Sequence, residues 1–205
     1  MQPSTLRSLA LITVLSLGSL PAQDAPAPMD REARAAQATE QRLAYAASAD
    51  YNPYDLKSRD FLKSAEALLA KDEFAQAIAE AQKGLAVSKY NIELLILVAS
   101  AYRAAGDMPN ADQTRQEWMS IVDSILRSGD GRDFATAFQV ISVDEEYSVL
   151  RILRLDVLGQ SLVQHEGSEF DVMQVKDPRS GNELTLYFNI DLPKKWLSKQ
   201  FSTAK

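Results

Sequence analysis

The chain has 205 residues, with 28 acidic and 22 basic side chains, a formal net charge of −6, one histidine and no cysteine. Without thiols there are no disulfides, thiolate metal sites or thiol nucleophiles, and one imidazole excludes a histidine-rich metal centre. The charges are interspersed with no basic stripe to neutralise phosphates, so nucleic acid is not an expected partner.

The N-terminus carries Arg7, an apolar run from Leu9 to Leu20, and Pro21-Ala22 before polar sequence. This pattern predicts a secretory signal peptide over 1–22, removed after about Ala22. The run is too short for a permanent span, which needs about 20 apolar residues. A periplasmic or secreted protein with no integral membrane segment after cleavage is expected. Residues 23–50 read as a Pro/Ala linker followed by a loosely docked helical arm capped by Asp30, with Leu43 and Tyr45 almost its only large apolar groups. Pro53 disfavours a helical Asn52 and ends that arm.

From 51 to 200 one composite domain is expected. Across 55–70 and 72–88 the apolar residues fall at helical spacing: Leu56, Phe61, Ala65, Leu68 and Leu69, then Phe74, Ala77, Ile78, Ala81 and Leu85. A second helix pair is expected over 92–105 and 109–127, with Gly106-Asp107 between and Pro109 tolerated in a first turn. Ser128-Gly129-Asp130-Gly131 stops the last of these helices. Ser142-Val143-Asp144-Glu145 matches a capping box ahead of a helix over 144–158. Three strands follow, over 160–165, 170–176 and 183–190, and their short connections predict an antiparallel meander. In the last strand Leu184, Leu186, Phe188 and Ile190 share one face. Pro193 ends it, and Trp196 and Leu197 are expected to pack back on the body.

Five positions repeat with an offset of 34: Phe61 and Leu95, Ala65 and Ala99, Leu68 and Tyr102, Phe74 and Met108, Ala77 and Ala111. In this register the chain resembles tetratricopeptide repeats. It departs from them where Gly84 and Trp118 stand in place of Ala, where Lys89 and Asp123 stand in place of a closing Pro, and where Asp72 replaces the Gly of the first turn. The fold class is therefore α+β: two tetratricopeptide-like helix pairs, a capping helix and a three-stranded antiparallel meander. The resemblance implies a ligand groove along the first helices, at Arg59, Leu62, Glu66 and Leu69 and at Glu93, Ile96, Ser100 and Arg103. Two readings stand for Leu62, Leu69 and Ile96: an open groove for a peptide or partner helix, or core covered by the chain's own last helix and sheet.

A second resemblance runs from Tyr51 to Ser198. Tyr51-Asn52-Pro53-Tyr54, Ser128 to Gly131, Val140 to Val143, Glu145-Glu146-Tyr147, Gln160 to Val163, Leu186 to Asp191 and Trp196-Leu197 resemble a family of bacterial secreted proteins of unknown function. It implies one contiguous domain and supplies no catalytic residues.

Chemistry-bearing residues are few. Asp130 and Asp133 fall short of a calcium loop, which needs six or more ligands, and read as turn residues. Asp144, Glu145 and Glu146 stand at a helix start, where the dipole stabilises negative charge. Asp130, with the row Tyr187, Asn189 and Asp191, is a second candidate surface. His165 has no nucleophile elbow near it in sequence. No metal or cofactor is expected. The reading is non-enzymatic binding of an unidentified protein or peptide in the bacterial cell envelope. The alternatives are a hydrolase or transferase using Asp130, His165 or Asp191 in a cleft between helices and sheet, and a structural subunit of an envelope assembly.

Overall fold

The computed structural model describes residues 29–203, so the expected signal peptide and most of the linker lie outside the described residues. Helix α1 (Arg31–Ala46) begins at Asp30, whose side chain accepts the Ala33 N–H at 2.7 Å. Then come α2 (Lys57–Leu69), α3 (Phe74–Val87), α4 (Ile92–Ala104) and α5 (Met108–Leu126). Asn91 caps α4 through the Leu94 N–H, Asp107 caps α5, and Pro109 sits in the first turn of α5.

The 34-residue offset extends to the backbone. Helix α3 starts at Phe74 and α5 at Met108, and the turns before them match. Asp72 has φ 60° where Gly106 has φ 82°. The Glu73 N–H reaches the Leu68 carbonyl at 3.1 Å just as the Asp107 N–H reaches Tyr102 at 2.9 Å. Asp can take this left-handed conformation at modest cost, which is why it can replace glycine here. Consecutive helices α2 and α3, α3 and α4, and α4 and α5 pack on one another. Ala65, Ala77 and Ala111 are fully buried and Ala99 nearly so.

Helix α1 is not the loose arm that its alanines suggested. It lies along α5, burying Ala35, Ala38 and Arg42, and Arg31 grips Asp123 of α5 with two 2.6 Å hydrogen bonds. Its attachment combines buried alanines with the Arg31–Asp123 and Arg42–Glu145 pairs, and neither leaves a periodicity of large apolar residues to read.

After α5 come a two-residue strand β1 (Phe138–Gln139), helix α6 (Val143–Ile152), and strands β2 (Asp156–His165), β3 (Ser168–Lys176) and β4 (Glu183–Asn189). Helix α6 stops at Ile152 rather than at 158. Arg154 turns left-handed at φ 59°, and the Leu155 N–H closes on the Leu150 carbonyl at 2.9 Å, a Schellman stop without glycine. The released residues 156–158 extend β2. β2, β3 and β4 pair antiparallel in succession, but the sheet is four-stranded and mixed, in order β1-β4-β3-β2, because β1 joins β4 in parallel. A two-residue strand leaves no alternation to read. The last helix, α7 (Asp191–Thr203), also departs from expectation: Pro193 ends the strand and sits in the first turn of a helix, where its missing N–H costs nothing.

The main core joins α4, α5 and α6 to one sheet face through Ile92, Ile121, Ile125, Leu150, Met173 and Phe188. A second, smaller cluster sits among α2, α3 and α4 around Leu94. No helix among the described residues is long and apolar enough to cross a membrane.

Candidate functional site: a groove and an acid pair on one helix

Helix α6 carries three consecutive carboxylates at its start, each with a different surrounding. Asp144 is half-buried and pairs at 3.1 Å with the exposed Arg59 of α2. Glu145 is buried and meets Arg42 of α1 in a two-pronged pair, Nε to Oε1 at 2.9 Å and Nη2 to Oε2 at 2.6 Å. The Arg42 guanidinium also donates to Ser124 Oγ on α5 and to the Gln139 carbonyl of β1. Glu145 Oε2 accepts the Ile141 N–H at 2.8 Å, and the Tyr51 hydroxyl donates to the Ile141 carbonyl at 2.6 Å. Five segments thus meet on one satisfied ion pair.

Glu146 is fully buried, and neither of its oxygens has a hydrogen-bond donor among the described residues. Its neighbour is the carboxyl of Asp171 on β3, also buried. Two carboxylates side by side in a dry site repel, so the stable arrangement carries one proton, as a carboxylic acid donating to a carboxylate. Burial first, and then Asp171 and the other α6 carboxylates, push Glu146 up to about 9. Burial raises Asp171 as well, against hydrogen bonding from Gln160 and the positive charge of Lys194. The Tyr147 hydroxyl donates to Gln160 Oε1 at 2.7 Å, leaving the amide NH2 of Gln160 for Asp171. Tyr54, its hydroxyl raised by burial and by this pair, packs at 6.0 Å on Trp196 of α7.

The outer face of α6 borders a concavity of about 400 Å³ between α2, α4 and α6, with Arg59, Leu62, Glu93, Tyr147 and Arg151 among its walls. Leu62 supplies apolar floor and also packs on the smaller core cluster. The rim charges are paired: Arg59 with Asp144, and Arg151 with Glu93, which also accepts from Ser148 Oγ at 2.9 Å. A wider opening of about 1120 Å³ between α1, the 50–57 loop and the ends of α3 and α5 presents Tyr45, Tyr90, Lys89 and Glu117. It is larger but its walls are as polar as they are apolar, whereas those of the α6 concavity are mostly apolar, so the α6 concavity is the better candidate.

The eight groove residues of the repeat register do not form one surface. Arg59, Leu62 and Glu93 line the α6 concavity, while Ile96, Ser100 and Arg103 line a separate depression of about 360 Å³ beside Trp118. Glu66 is exposed and borders neither, and Leu69 packs on the small cluster. Helix α6 packs against α4 and lines only the first of the two depressions.

Asp130 is bound within its own turn, accepting from Thr136 Oγ1 at 2.6 Å and from the Arg132 N–H. Asp133 accepts the Thr136 N–H. Tyr187 packs edge-on against Phe134, which also stacks at 4.2 Å on His165. Asn189 accepts the Asp191 N–H, and Asp191 accepts the Glu169 N–H. Asp130, His165 and Asp191 each serve a separate local contact, with no hydrogen bond joining them among the described residues. The second candidate surface is thus divided between a folded turn and the start of α7. No group of three or more His, Cys, Asp or Glu side chains able to hold a metal occurs among the described residues. Sequence reasoning passed over Arg42, Tyr54, Tyr147, Gln160, Asp171 and Lys194. The available signal was the run Glu145-Glu146-Tyr147, where successive residues of a helix cannot all face solvent if the helix packs on two sides.

The family described as a domain of unknown function, DUF4919, matches residues 37–199. The chain belongs to that family. The match begins inside α1 and ends inside α7, so the DUF4919 domain takes in both Arg42 and Trp196 and spans both core clusters. No curated protein and no solved structure matches the chain.

Proposed function

We propose that this DUF4919 domain is a non-enzymatic binding module of the bacterial cell envelope, taking an extended segment of a partner protein into the concavity between α2, α4 and α6. The observation that carries the reading is the composition of that concavity: an apolar floor at Leu62 beneath a rim of charges paired with one another. Exposed pairs of this kind contribute about 0–1 kcal/mol each, so a ligand's own charges can replace them at little cost. The tetratricopeptide resemblance supports the reading as far as Arg59 and Leu62 of α2 and Glu93 of α4, groove positions of that register that share this concavity. The envelope address rests on the signal-like sequence over 1–22.

A photo-reactive residue at Tyr147, introduced in the native host, tests the reading. The expected result is a discrete crosslinked partner at Tyr147 that is absent when the probe stands at Lys83 and reduced by Arg59→Glu. Equal capture at both positions, or capture indifferent to Arg59, overturns it. Cell fractionation tests the address: the protein should leave with the periplasmic or extracellular fraction and be shorter than its precursor.

A further inference from the structure

We infer that Glu146 and Asp171 form a proton-sharing latch that holds α6 against β3 and thereby sets the width of the α6 concavity. The inference rests on the binding reading above, because the latch controls that same site. Its starting point is geometric. Glu146 is fully buried with both oxygens lacking donors, and the group beside it is another buried carboxyl. Gln160 and Lys194 favour the charged form of Asp171, and with that charge in place the singly protonated pair both makes a hydrogen bond and avoids two adjacent buried charges.

The charges around the pair come from every element packed on it. Helix α6 contributes Asp144, Glu145 and the Tyr147 hydroxyl, β3 contributes Glu169, the 51–54 segment contributes Tyr54, and α7 contributes Lys194. Glu145 is already matched by Arg42 and Asp144 by Arg59. Lys194 acts on Asp171. The charged groups that act most on Glu146 are all carboxylates, so ionising it leaves a repulsion that separation of α6 from β3 relieves.

Separation reaches the concavity directly. The ten-residue helix that carries Glu146 inward carries Asp144, Tyr147, Ser148 and Arg151 outward, all four lining that space. The Tyr147 hydroxyl is also tied through Gln160 to Asp171, so the wall of the groove and the acid pair share one hydrogen-bond chain. With the proton in place the wall is fixed. Without it, the wall is released from β3 and shifts relative to α2.

The chain contains no cysteine, so a Lys63→Cys, Arg154→Cys variant takes two spin labels cleanly, one on α2 and one just beyond α6. The distance between them, read by pulsed electron resonance, should be narrow and constant from pH 6 to 8 and should shift or broaden from pH 9 upward. In the same background Glu146→Gln, which keeps a donor for Asp171 but cannot ionise, should abolish that change. Infrared spectra should show a protonated-carboxyl band at pH 7 that is lost in Glu146→Gln. Absence of that band, or a distance change that persists in Glu146→Gln, overturns the latch. Failure of the Tyr147 crosslink would remove the binding reading while leaving these spectra as they are, so the two can fail separately.

Discussion

Arg42 and Glu145 show how unequal like-looking residues are. Both are charged and sit on helices, which in sequence marks a solvated face, yet their side chains are 3 % and 2 % exposed. Removing one partner leaves the other charge buried and unmatched, so Arg42→Ala should cost about 3–5 kcal/mol in urea unfolding. Arg42→Met combined with Glu145→Met should recover much of that loss, because it removes both charges together. If the single and double variants prove equally damaged, packing rather than charge holds this junction. Glu146 carries a different signature. The folded protein keeps its proton up to about 9, whereas the unfolded chain releases it near the ordinary carboxyl value of 4.5. The native state therefore binds more protons between those limits, and stability falls as pH rises through them. Asp171, also raised, acts in the same direction. Urea midpoints at pH 5.5, 7 and 8.5 should decrease in that order. Glu146→Gln should flatten the trend and exceed the parent by about 1–3 kcal/mol at the highest pH.

At the scale of elements, Gly84 explains a departure from the repeat pattern. A Cβ there would lie 2.7 Å from Leu94 Cδ1 and 3.0 Å from Phe61 Cβ. Glycine lets α3 approach α2 and α4 more closely than alanine allows. Gly84→Ala gains about 1 kcal/mol of helix propensity and loses about 1–3 kcal/mol to overpacking, so a net loss in melting temperature is expected. Gly131→Ala should cost more, because φ is +69° and the Phe138 ring stands 2.3 Å from the new atom. Equal tolerance of both would contradict the packing described. Helices α2 to α5 were readable from apolar spacing, and β2 to β4 from turn residues and alternation. Ser142 was readable as a cap, and its side chain accepts the Glu145 N–H. The elements missed or misjudged, α1, β1, α7 and the end of α6, owe their form to an ion pair, a two-residue ladder, a proline that both ends and begins an element, and a left-handed arginine. None of these leaves a periodic trace. The site suffered most: its buried carboxyls come from α6 and β3, which are distant in sequence, and each alone reads as a surface charge.

Across the whole molecule, α4 belongs to both core clusters and so joins α2 and α3 to the sheet, and Arg42 ties α1, α5, β1 and α6 together. The domain should therefore unfold as a unit. The two tryptophans report on its two ends, Trp118 on α5 and Trp196 on α7. Fluorescence of Trp118→Phe and of Trp196→Phe should give midpoints that, after correction for each variant's own stability, coincide with its far-ultraviolet circular dichroism. Separate transitions would divide the chain into two folding units.

Strand β2 borders the sheet along ten residues, with Leu158 and Leu162 52 % and 56 % exposed. Its outer row of backbone donors and acceptors is a ready template for another strand. The register shift between Val157 and Gly159 interrupts that row near one end, which shortens the straight stretch that a stray chain could join. The same irregularity that sets the start of β2 apart from its regular stretch thus trims the edge on which this domain could be joined by a neighbour.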